Sequence, residues 1–410
     1  MPRTRLAFAS VPQTRDSVAT ARIGTTAITR LALTDFRGYA APRLDFAARP
    51  VVLTGPNGAG KTNLLEAISF LAPGRGLRRA KLGEIDRRVP PARPTANSPG
   101  LWAVAATVLG ARGEVKIGTG REASGETGDR RAVLIDGAPA KSQGALAEHL
   151  SVIWLTPQMD RLFLEGASAR RRFLDRLVYG FDPGHAHRVG AYEQALRERA
   201  RLLADGGADP AWLAALEARI SENGIAMIAA RRDTVARLDA ACAETVGAFP
   251  AARLDLTGET ESWLDTMPAL AAEDLFARRL MAARRADAAS GTTTIGPHRA
   301  DLAVRHGATH MPASDCSTGE QKALLIAIVL AFARLMARKR GDSPLLLLDE
   351  VAAHLDSMRR ATLFAEIECL GAQIWLTGTD AGLFADLAGV AQFFAVADAT
   401  LVPADSRNRS

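Results

Sequence analysis

The stretch Val51-Val-Leu-Thr-Gly-Pro-Asn-Gly-Ala-Gly-Lys-Thr62 decides the fold. Its first residues are apolar and β-branched, which is typical of a short buried strand. The glycines that follow allow the backbone to turn its N–H groups inward around an anion. Apolar residues then recur at helical spacing from Asn63, so a helix begins where the loop ends, and its N-terminus favours a phosphate. The sequence therefore predicts a phosphate-binding P-loop between a strand and a helix.

The residue types in this loop indicate a nucleoside triphosphate. The loop has the form G-x-x-x-x-G-K-T, in which Lys61 supplies charge for the β- and γ-phosphates and the Thr62 hydroxyl can ligate Mg²⁺. A chance glycine-rich turn is the alternative, and the strand and helix on either side disfavour it. The candidate nucleotide-binding residues are Gly55, Pro56, Asn57, Gly58, Ala59, Gly60, Lys61 and Thr62.

A second stretch, Leu345-Leu-Leu-Leu-Asp-Glu350, predicts a buried strand of a parallel sheet. Asp349, at its carboxyl end, is placed to hold the water shell of Mg²⁺. Glu350 is a candidate base that polarises the attacking water. A strand that ends in a solvated acidic turn is the alternative, and the P-loop upstream disfavours it.

The segment Cys316-Ser-Thr-Gly-Glu-Gln-Lys322 stands directly before a predicted helix. Ser317 and Glu320 form a capping box, which by itself explains a well-made helix start. A Ser and a Gly at a helix N-terminus also suit a γ-phosphate. Because the chain has one P-loop and one such segment, this second anion site suggests head-to-tail dimers that share nucleotide.

Composition and charge limit the possible classes of protein. The chain has 410 residues, 48% of them hydrophobic, with a mean hydropathy of +0.01, and no apolar run reaches the roughly 18 residues of a membrane span. Its three cysteines lack metal-ligand spacing and suit a reducing cytoplasm. Residues 1–160 hold 22 Lys and Arg against 13 Asp and Glu, which indicates a polyanionic partner or a solvated basic face.

The densest basic segment follows the P-loop helix. Residues 75–93 contain seven basic and two acidic side chains. Contact with the phosphates of a nucleotide or a nucleic acid and a solvated loop explain this segment equally well. The candidate DNA contacts are Arg75, Arg78, Arg79 and Lys81.

The pattern along the chain predicts an α/β fold, a mixed sheet with flanking helices and an inserted helical lobe. Residues 1–26 form a disordered extension, residues 27–160 an ATPase lobe with antiparallel strands, and residues 161–290 a helical lobe. A short helical hairpin turns at residues 206–210. Residues 291–402 form the C-terminal part of the ATPase head, and strand character returns there over residues 292–302. A tail covers residues 403–410.

The order of these motifs resembles the ABC-type ATPase head, with Gln158 after a strand and His354-Leu-Asp356 after the acidic pair. Three further segments are similar to the RecF family of bacterial DNA replication and repair proteins. The resemblance covers residues 27–402. The three segments are Asp35-Phe-Arg-Gly-Tyr39, Arg171-Arg-Phe-Leu-Asp175 and Gly296-Pro-His-Arg-Ala-Asp301.

The resemblance implies a two-lobed, SMC-like head without long arms. ATP would close a homodimer on gapped DNA at single-strand/double-strand junctions, with weak, DNA-stimulated, regulatory hydrolysis. The protein would work with RecR and RecO to help RecA load. Lys61, Thr62 and Asp349 would hold MgATP, Glu350 would activate water, Gln158 would sense Mg²⁺, Arg37 would reach the phosphates, and Ser317 with Gly319 would contact the partner subunit's γ-phosphate.

Two other classes remain open on the sequence. An ATP-binding subunit of a membrane transporter would share the P-loop, but it gives no reason for the helical block. A nucleotide-regulated scaffold would bind ATP without useful hydrolysis, and Glu350 argues against that. No base-reading motif is visible, so we expect DNA binding through phosphates and independent of sequence.

Overall fold

The computed structural model describes residues 26–87, 100–122, 129–206, 209–244, 247–341 and 343–404. In these ranges the strands are β1 Ala27–Thr34, β2 Arg43–Asp45, β3 Val51–Thr54, β4 Ala103–Gly110, β5 Gly113–Glu122, β6 Arg130–Ile135, β7 Ala138–Pro139, β8 Val152–Leu155, β9 Ala252–Thr257, β10 Asp301–His306, β11 Leu345–Leu348, β12 Ile374–Gly378, β13 Gln392–Ala397 and β14 Thr400–Ala404. The α-helices are α1 Lys61–Ser69, α2 Ala167–Phe181, α3 His185–Asp205, α4 Pro210–Ala243, α5 Glu259–Thr266, α6 Ala269–Ser290, α7 Thr318–Arg340 and α8 Ser357–Leu370.

A central, mainly parallel sheet contains the strands that precede the P-loop and the acidic pair. Its order is β14-β13-β3-β12-β11-β8, and each neighbouring pair from β13 to β8 is parallel. All residues of β3 and β11 are buried, as predicted. Burying one Leu or Val side chain stabilises the fold by about 1.5–3 kcal/mol. The parallel arrangement places the carboxyl ends of β3 and β11 at the same edge of the sheet.

A second, antiparallel sheet has the order β2-β1-β4-β5-β6-β7. The antiparallel strands predicted for this part of the chain are confirmed. Helix α1 lies in the core that the two sheets share: Leu64, Leu65 and Ile68 pack in one cluster with Leu31 of β1 and Leu347 of β11. The P-loop helix is therefore held by both sheets.

The helical hairpin is formed by α3 and α4. Gly206 ends α3 in a left-handed conformation with φ of 69°, and the Asp209 carboxylate accepts a hydrogen bond from the N–H of Ala211 at the start of α4. Helix α4 runs for 34 residues and ends at Ala243. Apolar side chains of α3, α4 and α6 form a core of their own that includes Phe276.

The structure corrects two predictions in this region. Residues 161–290 are not wholly helical, because they include β9, which pairs antiparallel with β10. The predicted strand at residues 292–302 begins only at Asp301. Its first part is a loop, because Gly296 has φ of 134° and Pro297 has no N–H to donate to a ladder.

The remaining domain predictions concern boundaries and chain ends. The boundaries at residues 160 and 290 stay predictions. Residues 1–25 and 405–410 lie outside the described residues, while residues 403 and 404 of the predicted tail belong to β14. In the described ranges, no helix combines the length and the apolar character that crossing a bilayer requires.

Candidate functional site

The P-loop turns sharply between β3 and α1, and its glycines are required by the backbone. Gly55, Gly58 and Gly60 have φ of 144°, 83° and 114°. A Cβ at Gly55 would lie 2.2 Å from the carbonyl oxygen of Val396 in β13. Any other residue at position 55 would therefore clash with the neighbouring strand. The first turn of α1 follows directly, with unpaired N–H groups and a partial positive charge that favour an anion.

The ammonium group of Lys61 lies inside this loop. Its Nζ donates to the carbonyl oxygens of Gly55 at 2.6 Å and Pro56 at 2.9 Å, and the side chain is buried. Burial lowers the pKa of Lys61, and the charges of Glu350 and Asp349 partly oppose this shift. A buried cation that faces two carboxylates is suited to bind phosphates together with a metal ion.

Two contacts support the loop from outside. The Tyr39 hydroxyl donates to the carbonyl oxygen of Gly60 at 3.1 Å, and burial raises the pKa of Tyr39. The N–H of Ala399, between β13 and β14, donates to the carbonyl oxygen of Ala59 at 2.9 Å. Asn57, at the tip of the loop, is exposed. The loop is therefore fixed at its C-terminal end and open at its tip.

The acidic pair after β11 reaches the first turn of α1. Both carboxylate oxygens of Asp349 accept from the Thr62 hydroxyl at 3.0 Å, and one also accepts from the Thr377 hydroxyl at 2.8 Å. Burial raises the pKa of Asp349, while the hydrogen bonds from Thr377 and Thr62 act in the opposite direction. Glu350 has a left-handed backbone with φ of 55°, and its N–H donates to Thr377 Oγ1 at 2.9 Å.

The Thr62 hydroxyl and the Asp349 carboxylate are oxygen ligands of the kind that Mg²⁺ prefers. Among the described residues, no group of three or more His, Cys, Asp or Glu could hold a metal ion. Mg²⁺ is usually bound by one or two carboxylates together with substrate phosphates. The pair therefore fits a metal ion that arrives with a nucleotide.

Gln158 lies on the loop next to the acidic pair. It is exposed in the 3₁₀ helix Pro157–Arg161, directly after β8. Strand β8 neighbours β11, and the N–H of Asp349 donates to the carbonyl oxygen of Leu155 at 2.9 Å. The assignment of Gln158 as a Mg²⁺ sensor stays a prediction.

Arg37 is held by a carboxylate of α1. Its Nε and Nη2 donate to the two carboxylate oxygens of Glu66 at 2.9 and 2.8 Å, and its Nη1 donates to the carbonyl oxygen of Glu84 at 2.8 Å. Its backbone is left-handed, with φ of 54°. That Arg37 reaches nucleotide phosphates stays a prediction.

All four candidate DNA contacts are exposed: Arg75, Arg78, Arg79 and Lys81. Arg78 is the best anchored of them, because its Nη1 donates to Asn63 Oδ1 at 2.6 Å and to Glu66 Oε2 at 3.0 Å. The basic residues at positions 88 and 93 lie outside the described residues. Whether this loop binds DNA stays a prediction.

Ser317 begins α7 with the predicted capping box. The N–H and the hydroxyl of Ser317 donate to Glu320 Oε2 at 2.9 and 2.8 Å, and the N–H of Glu320 donates back to Ser317 Oγ at 3.3 Å. Ser317 and Gly319 are exposed. In the described part of the chain, neither makes a hydrogen bond to the P-loop, Thr62 or Asp349. Within the described ranges, no hydrogen bond therefore joins the two predicted anion sites of one chain.

Similarity to known proteins extends over most of the chain. The model of the RecF/RecN/SMC N-terminal domain matches residues 27–400. A DNA replication and repair protein RecF from Rhizobium rhizogenes (strain K84) is 50% identical over 372 residues, which cover 90% of this chain and 96% of the relative. The chain belongs to the RecF family.

Solved structures show the same architecture as this RecF-family chain. A structure of the recombination mediator protein RecF-ATPrS in the RecFOR pathway has a TM-score of 0.78 at 21% identity and covers 93% of this chain and 99% of that one. A Smc head domain from Pyrococcus furiosus, bound to the C-terminal domain of ScpA, has a TM-score of 0.52 at 17% identity, with 93% and 97% covered. The predicted ABC-type head is confirmed, and the comparisons do not favour the transporter alternative.

Two segments that resemble the RecF family contact each other. Arg171 Nη1 donates to the carbonyl oxygen of Ala300 at 2.6 Å. Asp175 is buried and accepts from Arg231 at 2.8 and 2.9 Å, while a third nitrogen of Arg231 donates to the carbonyl oxygen of Pro297 at 2.8 Å. These charges hold the loop at residues 292–300 against α2 and α4, so this RecF-family pattern has a structural role in the helical lobe.

Sequence reasoning missed three residues of the site. Glu66 looks like an ordinary polar position of α1, yet its side chain is fully buried and pairs with two arginines. Tyr39 was visible only as part of a RecF-like segment. Thr377 lies near the end of β12, and its contact with Asp349 joins positions that are 28 residues apart in the sequence.

Proposed function

We propose that this chain is an ATP-dependent DNA-binding protein of DNA replication and repair. The observation that carries the proposal is the contact between Thr62 and Asp349, which joins the P-loop helix to the acidic strand end. The name of the Rhizobium rhizogenes relative supports the repair role, and the solved RecF-ATPrS structure supports ATP as the nucleotide.

The residues of the site divide the work of ATP hydrolysis. Lys61 and the N–H groups of the P-loop bind the phosphates, while Thr62 and Asp349 would hold Mg²⁺, which neutralises phosphate charge when bound. Glu350 would accept a proton from the attacking water. Gln158 would sense the metal from the adjoining loop. We expect this hydrolysis to be weak, DNA-stimulated and regulatory.

The active form is a homodimer with two shared sites. Ser317 and Gly319 are exposed and, among the described residues, make no hydrogen bond to the P-loop of their own chain. An exposed helix N-terminus suits the γ-phosphate held by a second copy. ATP would therefore close two chains head to tail, in the cytoplasm.

DNA would bind to the closed dimer through its phosphates. The exposed arginines and lysine that follow α1 supply the charge, so affinity falls steeply with salt and depends little on base sequence. Gapped DNA at single-strand/double-strand junctions is the proposed target. RecR would bind the protein directly there, and RecO and RecA would act with it during RecA loading.

Binding of gapped DNA with and without ATP tests the proposal. The wild-type chain should bind more tightly with ATP than without it, and Lys61→Met should show no response to ATP. DNA binding that ATP leaves unchanged in the wild type would refute the proposed function.

A further inference from the structure

Glu66 is a buried carboxylate that two arginines share. It lies on α1, one turn beyond Thr62, and its side chain is 0% exposed. Arg37 donates to both of its oxygens at 2.9 and 2.8 Å, and Arg78 donates to Oε2 at 3.0 Å. One negative charge is therefore surrounded by two positive charges, and the cluster keeps a net positive charge.

The two arginines are held with unequal strength. Arg37 makes a bidentate pair with Glu66, a third hydrogen bond to the carbonyl oxygen of Glu84, and is 21% exposed. Arg78 makes one contact with Glu66 and is 35% exposed. Bidentate pairs are the stronger kind. Removing both partners would leave a buried charge unpaired, which is strongly destabilising. Of the two arginines, Arg78 is therefore the one that can leave at the lower cost while Arg37 stays.

Arg78 is also connected to the nucleotide site. Its Nη1 donates to Asn63 Oδ1 at 2.6 Å, and Asn63 directly follows Thr62. The positive charge of Arg78 lowers the pKa of Asp349, although burial dominates that pKa and raises it. The position of Arg78 thus depends on the first turn of α1, whose N–H groups face the P-loop.

We propose that Glu66 couples nucleotide binding to DNA binding by retaining Arg78 until a DNA phosphate replaces the Glu66 carboxylate as its partner. Arg37 then remains as the counter-charge of Glu66. The inference rests on the proposed function and adds a positioning residue to it. Because coupling between two ligands is reciprocal, ATP and DNA should strengthen each other's binding by the same factor. If Glu66 served only to join α1 to the basic loop that follows it, removing Glu66 would weaken the binding of ATP and the binding of DNA.

Glu66→Gln tests the coupling against Glu84→Gln, which removes the same charge from an exposed neighbour. Affinity for gapped DNA is measured with and without a non-hydrolysable ATP analogue, and the ratio is the coupling factor. We expect a ratio of at least about five in the wild type and in Glu84→Gln. In Glu66→Gln, ATP-free DNA binding should tighten, its salt slope should steepen by about one, and the ratio should approach one.

Two further variants separate release of Arg78 from general electrostatics. Glu66→Gln combined with Arg78→Gln should lose the gain in ATP-free binding, because no arginine is left to release. Arg37→Gln should weaken ATP-free binding, because Arg78 then becomes the only partner of Glu66. Equal ratios in Glu66→Gln and the wild type, or a gain that persists in the double variant, would overturn the coupling alone. A wild type that binds no DNA under either condition would refute the proposed function and the coupling together.

Discussion

The hydroxyl of Thr62 lies 3.0 Å from both carboxylate oxygens of Asp349, although 287 residues separate the two positions. The contact forms because β3 and β11 are parallel strands of one sheet, with β12 between them. In the sequence, helices α1 to α7 lie between these two strands. The nucleotide site therefore requires both ends of the chain to be folded together.

Lys61→Met should abolish ATP binding and leave the fold intact. The ammonium group neutralises phosphate charge and does not contribute to core packing. Because its burial costs free energy in the folded chain, its removal should not destabilise the fold. Calorimetric titration with ATP and circular dichroism check the two parts. Lys116→Met, at an exposed position of β5, is the matched control and should bind ATP as the wild type does. ATP affinity near the wild-type value in Lys61→Met would show that the P-loop assignment is wrong.

Asp349→Asn should stabilise the nucleotide-free chain at neutral pH. Because burial raises the pKa of Asp349, the folded chain binds its proton more tightly than the unfolded chain does. The ionised carboxylate therefore lowers the free energy of unfolding as pH rises from about 4 toward neutrality. The variant should gain a Tm advantage of about 1–3 °C at pH 7.5, and this advantage should shrink as the pH falls toward the raised pKa of the folded carboxylate. Asp386→Asn, at an exposed position, should show none. A variant less stable than the wild type at pH 7.5 would contradict this account.

Changing Arg75, Arg79 and Lys81 together to Ala should weaken DNA binding and flatten its salt dependence. Arg78 is left in place because it contacts Asn63 and Glu66 of α1, so ATP binding to the monomer should change little. Fluorescence anisotropy at several salt concentrations measures both effects. Replacing the exposed Arg197, Arg201 and Arg219 of the helical hairpin is the control of equal charge. If only the control weakens binding, the basic loop is a solvated loop.

The strands, the P-loop and the acidic pair were predictable because their signals are local. Four consecutive leucines followed by Asp and Glu specify a buried strand and its end, and the capping box of Ser317 lies within four residues. The contacts of Glu66 could not be predicted in the same way, since Arg37 and Arg78 lie 29 and 12 residues away. Strand β9 was missed because its pairing partner, β10, follows two helices later.

Glu350→Gln should retain ATP binding, slow hydrolysis by about 100-fold or more, and let an ATP-held dimer accumulate. Gln keeps the size of the side chain and the backbone contact to Thr377 Oγ1, but it cannot accept the proton. Phosphate release and analytical ultracentrifugation measure the two effects. Glu368→Gln, at an exposed position of α8, should behave as the wild type. An unchanged rate of ATP hydrolysis in this variant would show that Glu350 is not the general base.

In the proposed homodimer, each nucleotide is shared between the P-loop of one chain and Ser317 of the other. Ser317→Arg should bind ATP as a monomer and fail to dimerise, because a bulky cation would occupy the partner's phosphate pocket. Lys61→Met should fail to dimerise because it binds no ATP.

Mixing these two variants places both lesions in one composite site and none in the other. Sedimentation velocity of the mixture with ATP tests the shared site most directly. A mixed dimer should form although neither variant dimerises alone. Normal ATP-dependent dimerisation of Ser317→Arg by itself would contradict it.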